Sequence, residues 1–255
     1  MKPQHPSIWG RIRHVVLLAS LLLFVAGCAN DQNDDEIRGL TEAYEEAQRA
    51  VLAGNYTRGI RIYEAILARY PFSELARQIQ LQLMYAYYKS GKKELAISAA
   101  ETFERENPID PRVDYALYVR GLAYFAGEAG FLERRFNRDI TERPPINVDQ
   151  SYAAFRRLIE RYPASEYAAD AQQRLRYLKD RLSQYENHVA DYYLRRGAYV
   201  AALNRAKGAL EQYNGSKGNA RSLRIMAAAY DELGMRDLAA DTRRILAANY
   251  PGDQS

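Results

Sequence analysis

Tyr87-Tyr88-Lys89-Ser90-Gly91-Lys92-Lys93-Glu94-Leu95-Ala96 opens the stretch that decides the fold, and Pro108 closes it. A Gly is followed five residues later by a small residue, and a Pro stands seventeen residues after the Gly. The spacing recurs along the chain as Gly54 with Gly59, Gly197 with Ala202 and Gly234 with Ala239. Pro71 and Pro251 hold the closing position in two of these copies, and Asn214 holds it in the other. Tyr87, Tyr193 and Tyr230 each lie four residues before the turn Gly. Gly ends one helix in a left-handed turn. The small residue lets a second helix pack closely on the first, and Pro stops that helix. Apolar residues three and four apart, such as Leu81, Tyr85 and Tyr88, predict the buried stripe. Gly54 to Gly91 and Gly197 to Gly234 are both 37 residues, a tetratricopeptide-like period lengthened by its linker.

Between the paired copies lies a split unit. Leu117, Gly121 and Tyr124 fit a first helix; Phe155, Leu158 and Pro163 fit a second. A charged insertion at about 127–148, with Gly127, Gly130, Pro144 and Pro145, separates them. Insertions in such repeats map to loops on one face, so this one reads equally as a binding loop or a tolerated excursion. The run Ser165–Arg196 contains neither Gly nor Pro. Its apolar residues Ala168, Ala171, Leu175, Leu178, Leu182, Tyr185, Val189 and Tyr192 trace one seam on a helix of about 48 Å. A coiled-coil dimer would use such a seam, but a helix shared by repeats three and four fits better. The expected fold class is all-α, a tetratricopeptide-repeat-like superhelical solenoid of about five helix-turn-helix units with the third interrupted. The divisions expected are 40–163 for repeats 1–3 and 164–255 for repeats 4–5 with the long shared helix.

The amino-terminal region reads differently. Lys2, Arg11 and Arg13 precede the twelve-residue apolar run Val15–Ala26, and no acid occurs before Asp31. The run is too short to span a bilayer, which takes about 20 residues, and it has the layout of a signal peptide, residues 1–27. Val25-Ala26-Gly27-Cys28 resembles the lipobox of bacterial lipoproteins. That resemblance implies an S-diacylglycerol and N-palmitoyl group on Cys28, with 28–39 as lipidated cysteine and polar tether. Ala29 stands where an Asp would retain the protein at the inner membrane, which points to the outer membrane.

Composition limits the chemistry. The 255 residues carry 36 Lys+Arg against 32 Asp+Glu, a net charge of +4. Without residues 1–27 the balance is 33 to 32, which gives little attraction for nucleic acid. The 21 Tyr, 15 Gly and 9 Pro among 47% hydrophobic residues exclude collagenous and disordered classes. A single Cys excludes internal disulfides and Cys-rich metal sites. Cleavage would leave His188 as the one histidine, expected to be a solvated helix residue. No nucleotide loop, HExxH motif or nucleophile triad occurs, so neither enzyme activity nor a cofactor or metal is expected. The Tyr clusters at 85–88, 115–124 and 192–193 fall on first helices, the side lining a groove in such repeats. About two thirds should be core, with the rest exposed beside Arg69, Arg120, Arg195, Arg196 and Arg205.

Several stretches together resemble the BamD (ComL) family of outer-membrane barrel-assembly lipoproteins. They are Arg69-Tyr70-Pro71-Phe72, Tyr85-Ala86-Tyr87-Tyr88-Lys89 and Asp114-Tyr115-x-x-Tyr118-x-Arg120-Gly121-Leu122. Leu178-Lys179-Asp180-Arg181-Leu182, Val189-Ala190-x-Tyr192-Tyr193-x-x-Arg196-Gly197-Ala198 and Asn204-Arg205 extend the match. The resemblance implies N-terminal repeats that receive unfolded outer membrane proteins, with Tyr70, Phe72, Tyr85 and Tyr88 as substrate-contact candidates. It implies C-terminal repeats that dock on the POTRA domains of BamA, with Arg205 and Arg196 as contact candidates. Other Bam lipoproteins would share the scaffold at the periplasmic face of the outer membrane. Another repeat lipoprotein, such as a secretin pilotin, is the alternative.

Overall fold

The computed structural model describes residues 38–126, 145 and 147–252. Among them are ten helices: α1 (38–52), α2 (Tyr56–Arg69), α3 (Ala76–Lys89), α4 (Lys93–Glu106), α5 (Val113–Phe125), α6 (Val148–Arg161), α7 (Ala168–Arg195), α8 (Tyr199–Gln212), α9 (Asn219–Glu232) and α10 (Arg236–Asn249). Paired in order, they are tetratricopeptide-like helix-turn-helix repeats. The chain divides into two compact units, Met1–Ala86 and Tyr87–Ser255, with the division falling inside α3. The leader, Cys28, residues 29–37 of the tether and nearly all of the 127–148 insertion lie outside the described residues; Arg38 and Gly39, expected as tether, already belong to α1, and Val148 to α6.

The repeating Gly does the work that its spacing predicts. At Gly91, φ is 79°, its N–H donates to the Tyr88 carbonyl at 3.1 Å, and the Lys92 N–H donates to the Tyr87 carbonyl at 2.9 Å. This closes the helix in a Schellman motif. The same paired bonds follow Gly54, Gly197 and Gly234. At Gly91, Gly197 and Gly234 the Tyr four residues earlier supplies the carbonyl that accepts from the residue after the Gly; at Gly54 Ala50 does so. Five residues beyond each turn, Ala96, Ala202 and Ala239 are completely buried and Gly59 is buried too. Every second helix, α2, α4, α6, α8 and α10, is 14 residues long. Four of them end with the residue before a Pro, at Tyr70, Asn107, Tyr162 and Tyr250. In α8 the stop comes at the same register without Pro, because Gly215 turns at φ 75° and the Asn214 carbonyl accepts from Lys179 Nζ at 2.8 Å.

In the first unit α1 and α2 pack through Gly59, where a Cβ would lie 2.5 Å from Val51 Cγ2. Tyr63 is fully buried there with Ile60 and Ile66. In the second unit each helix from α4 to α9 packs on its successor, and α7 also contacts α9. The interrupted repeat closes normally: α5 lies on α6 with Gly121 against the ring of buried Phe155. A Cβ at Gly121 would come within 2.6–2.8 Å of three ring carbons, and the neighbouring Ser151 hydroxyl donates to the Gly121 carbonyl at 2.9 Å. Gly121→Ala will therefore cost about 1–3 kcal/mol through overpacking, measured by denaturant unfolding.

Two details of the expected core differ. On α3 the buried stripe runs through Leu81, Met84 and Tyr87, whereas Tyr85 is 36% exposed. Leu81 is buried as expected, but beyond it the helix buries Met84 and Tyr87 in place of Tyr85 and Tyr88, a rotation of about one residue that the spacing alone does not fix. The long helix spans 28 residues rather than 32, because Ser165 is spent on a turn that joins α6 to α7. It is shared as expected and is covered by α6, α8 and α9. Cover from several helices makes its buried surface wider than one seam. Ala171, Leu178 and Leu182 are buried, Tyr192 is exposed, and Arg181, Ser183, Asn187 and Ala190 join the core. Asn187 is fully buried and donates to the Gly218 carbonyl at 2.8 Å, while the Ser222 hydroxyl donates to its Oδ1 at 2.7 Å.

Candidate functional site

The helices α5 and α7 carry a continuous aromatic surface in the second unit. Tyr118 stacks on Tyr167 with ring centroids 4.7 Å apart and planes 18° from parallel. Tyr115 approaches the same ring at 5.6 Å, and Tyr118 meets Phe155 at 6.1 Å. Two helical turns further, Phe125 meets Tyr177 edge-on at 5.7 Å, and the Arg174 guanidinium lies 5.1 Å from the Phe125 centroid. Phe125 is half-buried and Tyr177 is 43% exposed. These rings offer flat apolar area at low conformational cost.

Asp170 ties the two groups together. Its Oδ2 accepts from the Tyr118 hydroxyl at 2.8 Å and from Arg174 Nε at 2.6 Å. Desolvation works to raise the Asp170 pKa, but these two donors outweigh it and hold the carboxyl below its ordinary value. Burial, with the Asp170 bond second, pushes the Tyr118 hydroxyl up to about 12. Tyr167 is likewise pushed up to about 12, chiefly by burial. Both hydroxyls therefore stay protonated at ordinary pH. Burial also raises Tyr63 and Tyr213 to about 12. A tyrosine that resists ionisation in the fold contributes stability below pH 10 that is lost as pH rises towards about 12. Urea unfolding across that window will show a falling midpoint.

The expected contact residues fall in both units. Tyr70 caps α2, half-buried, with the Arg69 guanidinium 5.3 Å from its centroid. Phe72, in the turn before α3, is 99% exposed, an apolar ring standing free beside it in sequence. Tyr85 is exposed on α3, and Tyr88, one turn further, is half-buried within the electrostatic reach of Arg174. Arg196 caps α7 over the Tyr192 ring at 5.3 Å, and Tyr192 in turn meets Tyr193 at 5.8 Å. Arg205 on α8 already holds a carboxylate, with Nη1 donating to Glu186 of α7 at 3.0 and 3.3 Å. Arg120 is likewise occupied, bonded to Glu104, which also receives Arg157 and Arg161. His188 is half-buried rather than solvated, in contrast to the expectation from its place beside the seam. Among the described residues no group of three His, Cys, Asp or Glu is placed to hold a metal ion.

The sequence reading did not single out Phe125, Tyr167, Asp170, Arg174 or Tyr177. Asp170 and Arg174 carry a legible signal as an i,i+4 ion pair. The rings carry none, since Tyr118 and Asp170 meet across 52 residues of sequence.

Comparison with known proteins gives this surface a context. The family model described as YfiO, outer membrane lipoprotein, matches residues 38–246. The outer membrane protein assembly factor BamD of Neisseria meningitidis serogroup A is 41% identical over 246 residues, 94% of this chain and 92% of the relative. The BamD of Vibrio cholerae is 39% identical, covering 91% of this chain and 96% of its own. Among solved structures, MamA aligns with 82% of this chain and 90% of its own at 18% identity, with a TM-score of 0.40. Matched from its first described helix to its last, the chain belongs to the BamD family of outer membrane lipoproteins.

Proposed function

We propose that this protein is an outer membrane protein assembly factor, anchored by acylated Cys28 at the periplasmic face of the outer membrane. It receives unfolded outer membrane proteins and presents them to BamA, with other Bam lipoproteins on the same scaffold. The aromatic surface of α5 and α7 is the observation that carries the receptor reading. Half-exposed rings in a row, next to neutral hydroxyl donors, suit an extended chain with aromatic side chains. Tyr70, Phe72 and Tyr85 offer the same ring chemistry within the first unit, and Tyr88 within the second. Repeats 4–5, residues 164–255, dock on the POTRA domains. There an acidic POTRA loop displaces Glu186 from Arg205, and Arg196 lies at the neighbouring helix end.

Depletion in cells should lower outer membrane barrel proteins as a class. Loss of a pilus alone would transfer the reading to a secretin pilotin. Tyr70→Ala should weaken binding of barrel-protein peptides, and Arg205→Ala should weaken co-purification with BamA from solubilised membranes. If both interactions are unchanged, the site assignments fail.

A further inference from the structure

The four turns that join one repeat to the next are built alike, but their tip residues differ. In each, a backbone N–H donates to the carbonyl of the residue capping the helix before it. The pairs are Ser73 to Tyr70 at 3.2 Å, Asp110 to Asn107 at 3.0 Å, Ser165 to Tyr162 at 3.0 Å and Ser216 to Tyr213 at 3.1 Å. The residue just before each donor is Phe72, Ile109, Ala164 and Gly215 in turn. Ala and Gly complete the same turn, so the fold does not call for a ring at the tip. Phe72 is nevertheless 99% exposed. Pro71 fixes φ ahead of it, and the Ser73 bond closes the turn around it, so the ring is held out from the fold.

The helix register shows which end of the first unit carries this ring. Tyr63 of α2 meets Tyr44 of α1 with ring centroids 6.0 Å apart, and Arg58 of α2 bonds Glu46 of α1 at 2.8 Å. The two helices run antiparallel from the Gly54 turn. Six residues on from Tyr63 and six back from Tyr44, Arg69 falls level with Arg38. Phe72 therefore stands at the end of the hairpin where the chain arrives from Cys28. The Gly54 turn stands one helix length away, about 21 Å. Arg38 is ten residues after Cys28, a reach of at most about 36 Å. Exposed Arg38, Arg69 and Arg77 flank the turn against exposed Glu42 and Glu74. That balance is close to neutral, so the ring rather than charge selects the partner. A free apolar ring beside Tyr70 and Arg69, whose stems are apolar and whose tips are polar, suits a bilayer interface. We propose that the Tyr70–Ser73 turn is a membrane contact: the Phe72 ring inserts into the interface of the leaflet that holds the acyl anchor and docks the first unit on the lipid surface. This rests on the acylation of Cys28 proposed above, and it adds where the ring lies when no incoming chain is bound.

The test uses the full lipidated protein in vesicles of phosphatidylethanolamine and phosphatidylglycerol. Trp9, the only tryptophan, lies in the leader, so Phe72→Trp gives the cleaved chain a unique fluorescent reporter. Leu52, 80% exposed beside the Gly54 turn, takes the same reporter at the far end of the hairpin as Leu52→Trp. At position 72 the emission should shift to the blue and be quenched by lipids brominated near the top of the acyl chains. That is the depth, about 5–10 Å, at which interfacial apolar groups settle. At position 52 neither change should occur. Quenching at position 72 should persist in vesicles without phosphatidylglycerol, and its loss there would overturn insertion of the ring in favour of a charge contact. Equal quenching at the two positions, or none at 72, in protein that floats with the vesicles overturns the contact and leaves the anchor in place. Protein that does not float overturns the anchor reading and this contact with it. Emission at position 72 that shifts only when a barrel-protein peptide is added assigns the ring to the incoming chain and overturns the proposal.

Discussion

Asn187→Ala will lower the stability of the second unit by about 3 kcal/mol, far more than its single-residue scale would suggest. The side chain is completely buried on α7 and satisfies groups on α9 and its approach: the Gly218 carbonyl and the Ser222 hydroxyl. Truncation takes the Asn187 donor from the Gly218 carbonyl, which keeps the Ser222 N–H at 3.0 Å, and leaves the buried Ser222 hydroxyl with only its longer bond to that carbonyl at 3.2 Å, at about 1–3 kcal/mol, and adds a cavity. The space has no slack to absorb the change, since a Cβ on Gly218 would sit 2.3 Å from Ser183 Oγ. Ser222→Ala alone should cost less, because the Gly218 carbonyl keeps its bond to Asn187. The double variant should be clearly less destabilised than the sum of the two, as expected for groups in one network. Guanidinium unfolding followed by far-UV circular dichroism measures all three. A loss under about 0.5 kcal/mol for Asn187→Ala, the range of an ordinary surface change, would show that α7 and α9 are not held together in this way.

Cys28→Ala will abolish delivery to the outer membrane. The proposal places three acyl chains on this residue, and each buried methylene contributes about 0.8 kcal/mol. Among the described residues no helix is long and apolar enough to cross a membrane. The variant should incorporate no labelled palmitate, keep its leader and vanish from outer membrane fractions. Palmitate incorporation or outer membrane recovery equal to that of the unmodified protein would contradict the anchor.

Repeat architecture was legible in the sequence wherever backbone geometry demanded one residue type. Gly91, Ala96 and Pro108 each serve a constraint that few side chains meet, and the helices begin and end where those residues place them. Side-chain facing was less legible. Tyr85 and Tyr192 are exposed although they fit an apolar stripe, because tyrosine is stable on either side of the surface and the covering helices decide which. Asn187 gave no signal at all, since a buried amide is acceptable only when partners 31 and 35 residues away arrive to satisfy it. The same reason hid Phe125 and Tyr177 as a pair. Their meeting depends on how α7 crosses α5, which no local spacing encodes. The arginines show the converse: Arg205 and Arg120 were legible as cations, but Glu186 and Glu104 as their partners were not.

The central claim is that the aromatic surface of α5 and α7 receives unfolded outer membrane proteins. A photo-reactive phenylalanine analogue placed at Tyr177, which is 43% exposed on that surface, tests it directly when the protein meets a urea-denatured barrel protein upon dilution. The same analogue at Val200 on α8, 58% exposed, is the control for chance encounter. Cross-links should form at position 177, be suppressed by excess barrel-protein peptide, and be near background at position 200. Equal cross-linking at the two positions, or none at 177, would contradict the account.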